Sequence, residues 1–177
     1  MKALQAYIIK YLGLEKGIHT FEYQLDKTFF EHFDFSEFEK ESLKGKVILD
    51  KKPNRMELVF EVKGDVEVRC DVSNKAFTMP IDNKLDLIVK FGDERNDDNE
   101  DILILPHGEF ELSVAQYLFE TTVLAIPLKK VDPDLEKSAE GRAMLEALEK
   151  LSPSSEEQNK EETETDPRWD KLKGLLN

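Results

Sequence analysis

Few side chains in this sequence are placed to make or break bonds. The histidines are His19, His32 and His107, and none stands at metal-ligand spacing from another or from the single cysteine, Cys70. One cysteine permits neither a disulfide within the chain nor a cysteine-based zinc site. There is no Gly-x-Ser-x-Gly elbow, phosphate-binding glycine loop or His-Glu-x-x-His. Asp97-Asp98-Asn99-Glu100-Asp101 echoes the start of a calcium loop. Ile102, however, stands where such a loop needs glycine, and Gly108 where it needs its last glutamate. Cys70 closes an alternating apolar run and reads as a small core residue. The expectation is no catalytic residue, no cofactor and no metal, hence a binding protein that is not an enzyme.

Two constellations could bind. The first is basic: Lys44, Lys46, Lys51, Lys52 and Arg55, five bases against Asp50, around a predicted hairpin turn. Bases so gathered can contact phosphates; the plainer reading is solubilising charge around a turn. The second is Asp166-Pro167-Arg168-Trp169 with Leu172, Leu175 and Leu176, which holds the only tryptophan. Asp166 can cap a helix and Pro167 suits its first position. A dozen residues make too short a helix to stand alone, so the motif folds on a partner groove or docks on its own domain.

The elements that must carry these groups are mostly strands. Ile18–Leu25 reads as a first strand. Phe29, Phe30, Phe33, Phe35 and Phe38 begin on a single helical turn and read as a core plug. Val47–Leu49 is a short strand, and Lys51-Lys52-Pro53-Asn54 a turn. Met56, Leu58, Phe60 and Val62 alternate with Glu57, Glu61 and Lys63, the signature of a half-buried strand. Gly64-Asp65 breaks the run before Val66, Val68 and Cys70. A turn near Ser73-Asn74 leads to Phe77, Met79 and Ile81, and Leu85–Phe91 forms another strand. Asp93–Asp101 reads as an acidic loop, followed by the apolar run Ile102–Leu105. A helix over 113–125 opens with the capping-box pair Ser113 and Gln116. A second, over 133–150, starts at Asp132-Pro133 and is weakened by Gly141. Short connections imply antiparallel pairing. The predicted fold is α+β: an antiparallel curved sheet or partial β-barrel with two flanking helices and a disordered acidic C-terminal tether. The domain occupies 1–130, a helix 131–151, the tether 152–165 and the amphipathic motif 166–177.

Charge marks the tether and qualifies the rest. The 177 residues carry a net charge of −13, which taken whole argues against nucleic acid. The charge is uneven: Asp93–Asp101 has six acids against Arg95, and Ser152–Asp166 six against Lys160. The remaining chain is close to neutral. Ser152–Thr165 has no aliphatic or aromatic residue and cannot offset its ordering entropy. The longest apolar run, Val123–Leu128, contains Pro127 and is far shorter than a membrane span. With no signal-peptide core and one cysteine, a soluble cytoplasmic protein is expected.

Three stretches taken in order resemble the YceD-like family, the large ribosomal RNA subunit accumulation proteins. Arg69-Cys70-Asp71, running on through Met79-Pro80-Ile81 to Leu85–Phe91, is similar to that family's strand–cysteine–turn–strand signature. Leu124-Ala125-Ile126-Pro127-Leu128 is similar to its apolar-proline step after a helix. Asp166-Pro167-Arg168-Trp169 resembles its terminal motif, and Lys90-Phe91-Gly92 looks like Bacteroidetes-type members. The resemblance implies a factor for accumulation or maturation of 23S ribosomal RNA, without known catalysis, in a family often encoded beside a large-subunit ribosomal protein. Many members carry a second cysteine, which suggests a metal-binding or paired-thiol site; here Ser73 stands at that point. The leading expectation is a ribosome-biogenesis factor that binds ribosomal RNA or a pre-ribosomal particle, with Lys44–Arg55 as phosphate contacts and the terminal motif docking a protein. The alternative is an adaptor or chaperone whose acidic segments shield a basic ribosomal protein.

Overall fold

The computed structural model describes residues 3–99 and 101–151. The chain falls into two compact units, Met1–Lys130 and Val131–Asn177. The tether 152–165 and the motif 166–177 lie outside the described residues.

Alternating apolar residues dictate the first unit. Its main strands are β2 (Gly17–Leu25), β3 (Lys40–Lys51), β4 (Arg55–Arg69) and β5 (Ala76–Gly92), with β6 (Asn96–Asn99) and β7 (Ile102–Pro106) after them. They form one sheet in the order β2-β3-β4-β5-β7-β6. A two-residue strand β1 (Ile8–Ile9) pairs with β8 (Leu112–Ser113) in a separate small ribbon. The single-turn helix α1 (Lys27–Glu31) and α2 (Ala115–Val123) complete the unit. On the inner face, Leu43, Val47 and Leu49 meet Met56, Leu58, Phe60 and Val62, and these meet Ile81, Leu87 and Val89, all fully buried. The edge strands β2 and β6 do not pair, so the sheet stays open.

Helix α2 covers the middle of that face. Leu118 is buried, with Gly45 leaving it room to seat against β3. Asn83, an inward polar residue of β5, donates to the Thr121 carbonyl at 2.9 Å. The buried Thr121 and Thr122 hydroxyls donate to the carbonyls of Tyr117 and Leu118, so neither is left unsatisfied. The phenylalanines fasten α1 to α2. Asp26 caps α1 through Phe29 N–H at 3.1 Å, and hydrogen bonds, led by the Thr28 hydroxyl, hold its carboxyl below the usual range. Phe33 stacks on Phe119 at 4.3 Å, and Phe30 and Phe35 crowd the same ring.

Several expectations shift. The runs 56–62 and 66–69 are one strand, β4, with Cys70 just beyond its end, because Gly64 adopts φ +146° within it, where a Cβ would fall on the Ser42 carbonyl. Residues 77–81 and 85–91 likewise join in β5, and Val47–Leu49 is only part of the longer β3. The sheet is mixed: β7 inserts between β5 and β6 and runs parallel to β5. The acidic stretch 93–101 therefore supplies a strand, β6, as well as turns. Its charges are tolerated because it lies at the exposed sheet edge. The Ser113–Gln116 capping box does not form. Ser113 sits in β8, Val114 is the cap, and Gln116 donates to Glu120 instead.

In the second unit, Asp132 accepts from Asp134 N–H before a 3-10 turn at Leu135–Lys137. Ser138 then caps α3 (Ala139–Leu151) by accepting from Gly141 N–H at 2.9 Å. The helix thus starts later than Pro133. Gly141 is a packing requirement, since a Cβ there would strike the Leu135 carbonyl. No described helix is long and apolar enough to cross a membrane.

Candidate nucleic-acid interface

The five candidate bases lie on β3, β4 and their connecting turn, and register divides them. Lys51 has inward parity. Its ammonium donates to the carbonyls of Tyr11, Leu12 and Leu14 at 2.9, 3.3 and 2.8 Å, gathering the loop before β2. Lys52 bonds Glu57 and stands 3.7 Å from Asp50, while Arg55 Nε donates to Glu57 at 2.8 Å. Those hydrogen bonds, Lys52 first, hold the Glu57 carboxyl below its ordinary range.

Lys44 and Lys46 point outward from the middle of β3. Among the described residues neither makes an ion pair. Lys44 stands directly opposite Lys63 of β4, and like charges so placed cost about 0.2–1 kcal/mol. Lys63 reaches Asp82 at 3.1 Å, but that pair is about two-thirds exposed and adds little. The three lysines, with Glu22, Gln24 and Glu61, line a shallow groove across β2, β3 and β4. Sequence reading did not pick out Lys63, which is 19 residues from Lys44. The alternation of β4 did put it on the outward face, but only the register brings the two together.

The signature residues form a structural joint. Asp71 N–H donates to the Lys130 carbonyl at 2.7 Å, and Lys130 N–H donates to Asp71 Oδ2 at 2.6 Å. Lys130 Nζ bonds Glu37 at 2.8 Å, which raises the lysine pKa. Arg69 pairs with Glu39 at 2.5 Å and donates to the Asn74 carbonyl at 3.2 Å. Cys70 is buried, with its backbone closing the turn through Lys75 and Asn74. Pro127 is exposed on the segment this clasp secures, beside the exposed Leu124 and Leu128. The clasp thus ties the end of β4 to the chain beyond α2.

The remaining reactive side chains stay apart. His19 bonds the Glu15 carbonyl at 2.9 Å, and His32 and His107 are exposed. Among the described residues no three His, Cys, Asp or Glu side chains gather as a metal site. Asn96 and Asn99 turn their side-chain oxygens on the backbone N–H groups of Asp98 and Asp101.

No curated protein and no solved structure gives a significant match. One family model does match, over residues 58–176, and its description is large ribosomal RNA subunit accumulation protein YceD. The matched span contains all three stretches on which the sequence resemblance rests, Arg69–Phe91, Leu124–Leu128 and Asp166–Trp169, and also takes in β4 from Leu58 onward and Lys130. Since it covers well over half of the chain, the protein belongs to the YceD family of large ribosomal RNA subunit accumulation proteins.

Proposed function

We propose that this chain supports accumulation of 23S ribosomal RNA without catalysis, in the cytoplasm, by binding ribosomal RNA or a large-subunit pre-ribosomal particle through the outer face of the sheet. The family's role in large-subunit ribosomal RNA accumulation is the starting point. The observation that carries the mode of action is the Lys44–Lys63 pair, with Lys46 beside it. Two lysines directly opposed across strands repel each other, and a bound phosphate removes the repulsion and gains two contacts. Lys51, Lys52 and Arg55 serve the fold and contribute little to RNA. The amphipathic motif 166–177 docks a protein of the same particle.

The test is binding of the full chain to large-subunit ribosomal RNA fragments as salt is varied. Affinity should fall steeply with salt, and Lys44→Ala with Lys63→Ala should flatten the dependence. Absence of binding at the lowest salt would rule out direct RNA contact.

A further inference from the structure

Helix α2 leaves part of the inner sheet face uncovered. Beyond it, towards β7 and β6, lies a cleft of about 560 Å³. Its floor is apolar, formed by Leu85, Leu87 and Leu103 with the Tyr117 ring, which stacks on Phe60 at 5.2 Å. Its rim is charged: Asp97 and Asp101 from the sheet edge, and Glu120 from α2. Two bases also line it, and both face acids. Lys84 pairs with Asp86 at 3.1 Å, and Arg95 is drawn to Glu109 at 4.0 Å. The rim charges act on the ring: burial chiefly raises the Tyr117 pKa, Arg95 opposes, and Glu120 and Asp97 add to the rise. Every lining residue falls within the span matched by the family model, whereas Lys44 and Lys46 precede it.

We infer that this cleft binds a lysine- or arginine-rich extended segment of a protein partner. Apolar floor and acidic rim together suit such side chains, whose aliphatic stems cover apolar surface while their charged heads stay at the edge. RNA is the wrong ligand, because the rim would repel phosphates. A metal is not the occupant either, since the rim carboxylates do not gather on one point. The cleft gives the acidic stretch 93–101 a structural purpose: β6 carries Asp97 to the rim and the β6–β7 turn carries Asp101. The inference does not depend on the RNA reading, which concerns the opposite face of the sheet.

The probe is a fluorescein-labelled nona-arginine peptide, titrated against the full chain by fluorescence anisotropy. Asp97→Asn, Asp101→Asn and Glu120→Gln combined should weaken binding about tenfold. Removing equal charge from the tether, by Glu156→Gln, Glu157→Gln and Glu161→Gln, should change it less than about twofold. Leu124→Ser, at the exposed lip of the cleft, should cost about threefold and persist at high salt. Amide NMR shifts on adding peptide should centre on 97–103 and 117–124. Equal losses from rim and tether, or shifts spread over all acidic surface, would overturn the inference by showing unspecific attraction. Lys44→Ala with Lys63→Ala should leave peptide binding unchanged, so the two proposals can fail separately.

Discussion

At the β3–β4 turn every basic side chain is held by the fold itself, while in the middle of β3 Lys44 has no acid opposite it and Lys46 lies between Glu22 and Glu61 without an ion pair among the described residues. Lys51 collects three carbonyls, and Lys52 and Arg55 share Glu57. Lys44 and Lys46, only a few residues earlier, face outward, and Lys44 confronts Lys63. The same residue type thus stabilises one region and strains the other slightly. What decides is the partner that chain direction and register set within reach. A lysine satisfied by carbonyls or carboxylates has little left for a ligand, and a lysine opposite a lysine gains from any anion that arrives.

That contrast can be broken or sharpened experimentally. The largest stability effect belongs to the turn. Lys51→Met should lower the unfolding free energy by about 1.5–3 kcal/mol, the range for charge-assisted hydrogen bonds. Urea denaturation would measure it, with RNA binding otherwise unaffected in the folded variant. If the variant is as stable as the parent but loses RNA, Lys51 belongs to the interface. Next comes the double variant Lys44→Ala with Lys63→Ala. It should reduce the slope of log affinity against log salt by about 1.4–1.8, from about 0.7–0.9 per contact, with stability little changed. Lys44→Glu should stabilise the fold by about 0.2–1 kcal/mol by replacing a repulsive cross-strand pair with an attractive one, while lowering RNA affinity. Simultaneous loss of stability would show that Lys44 has a structural partner.

The smallest effect concerns pH. Glu57 has a folded pKa depressed by Lys52 and Arg55. Its contribution is therefore fully present above the unfolded value near 4.5 and disappears as pH falls through the lower folded value. Glu57→Gln should make acid-induced loss of stability less steep in that window, as followed by thermal melts across pH. Identical acid profiles would mean the turn ion pairs contribute nothing measurable.

Much of the fold was legible because period-two alternation is a local property. Met56–Val62, Leu85–Phe91 and the earlier strands announce themselves, and so does the single turn around Phe29 and Phe30. Strand continuity was not legible at Gly64: glycine reads as a break, and only the Ser42 backbone pressing on it shows a straight passage that needs the missing side chain. Nor was β6, whose Asn-Asp-Asp-Asn sequence has no strand propensity. It is held by pairing to β7. The Ser113–Gln116 spacing suggested a cap, but pairing of β8 with β1 claims Ser113 first.

The sequence by itself determined the class of protein: alternating strands with a helix to cover them, and a family signature around Arg69-Cys70-Asp71 and Pro127. Those follow from residue type and short spacing, which no folding step alters. Tertiary structure alone decided which charges are spent in ion pairs and hydrogen bonds and which lysine stands opposite another. Lys63 meets Lys44, Lys51 meets the loop before β2, and Asp97 and Asp101 line one cleft with Glu120 because register and packing join residues distant in sequence. Electrostatic energy depends on distance in space, and distance along the chain does not reveal it.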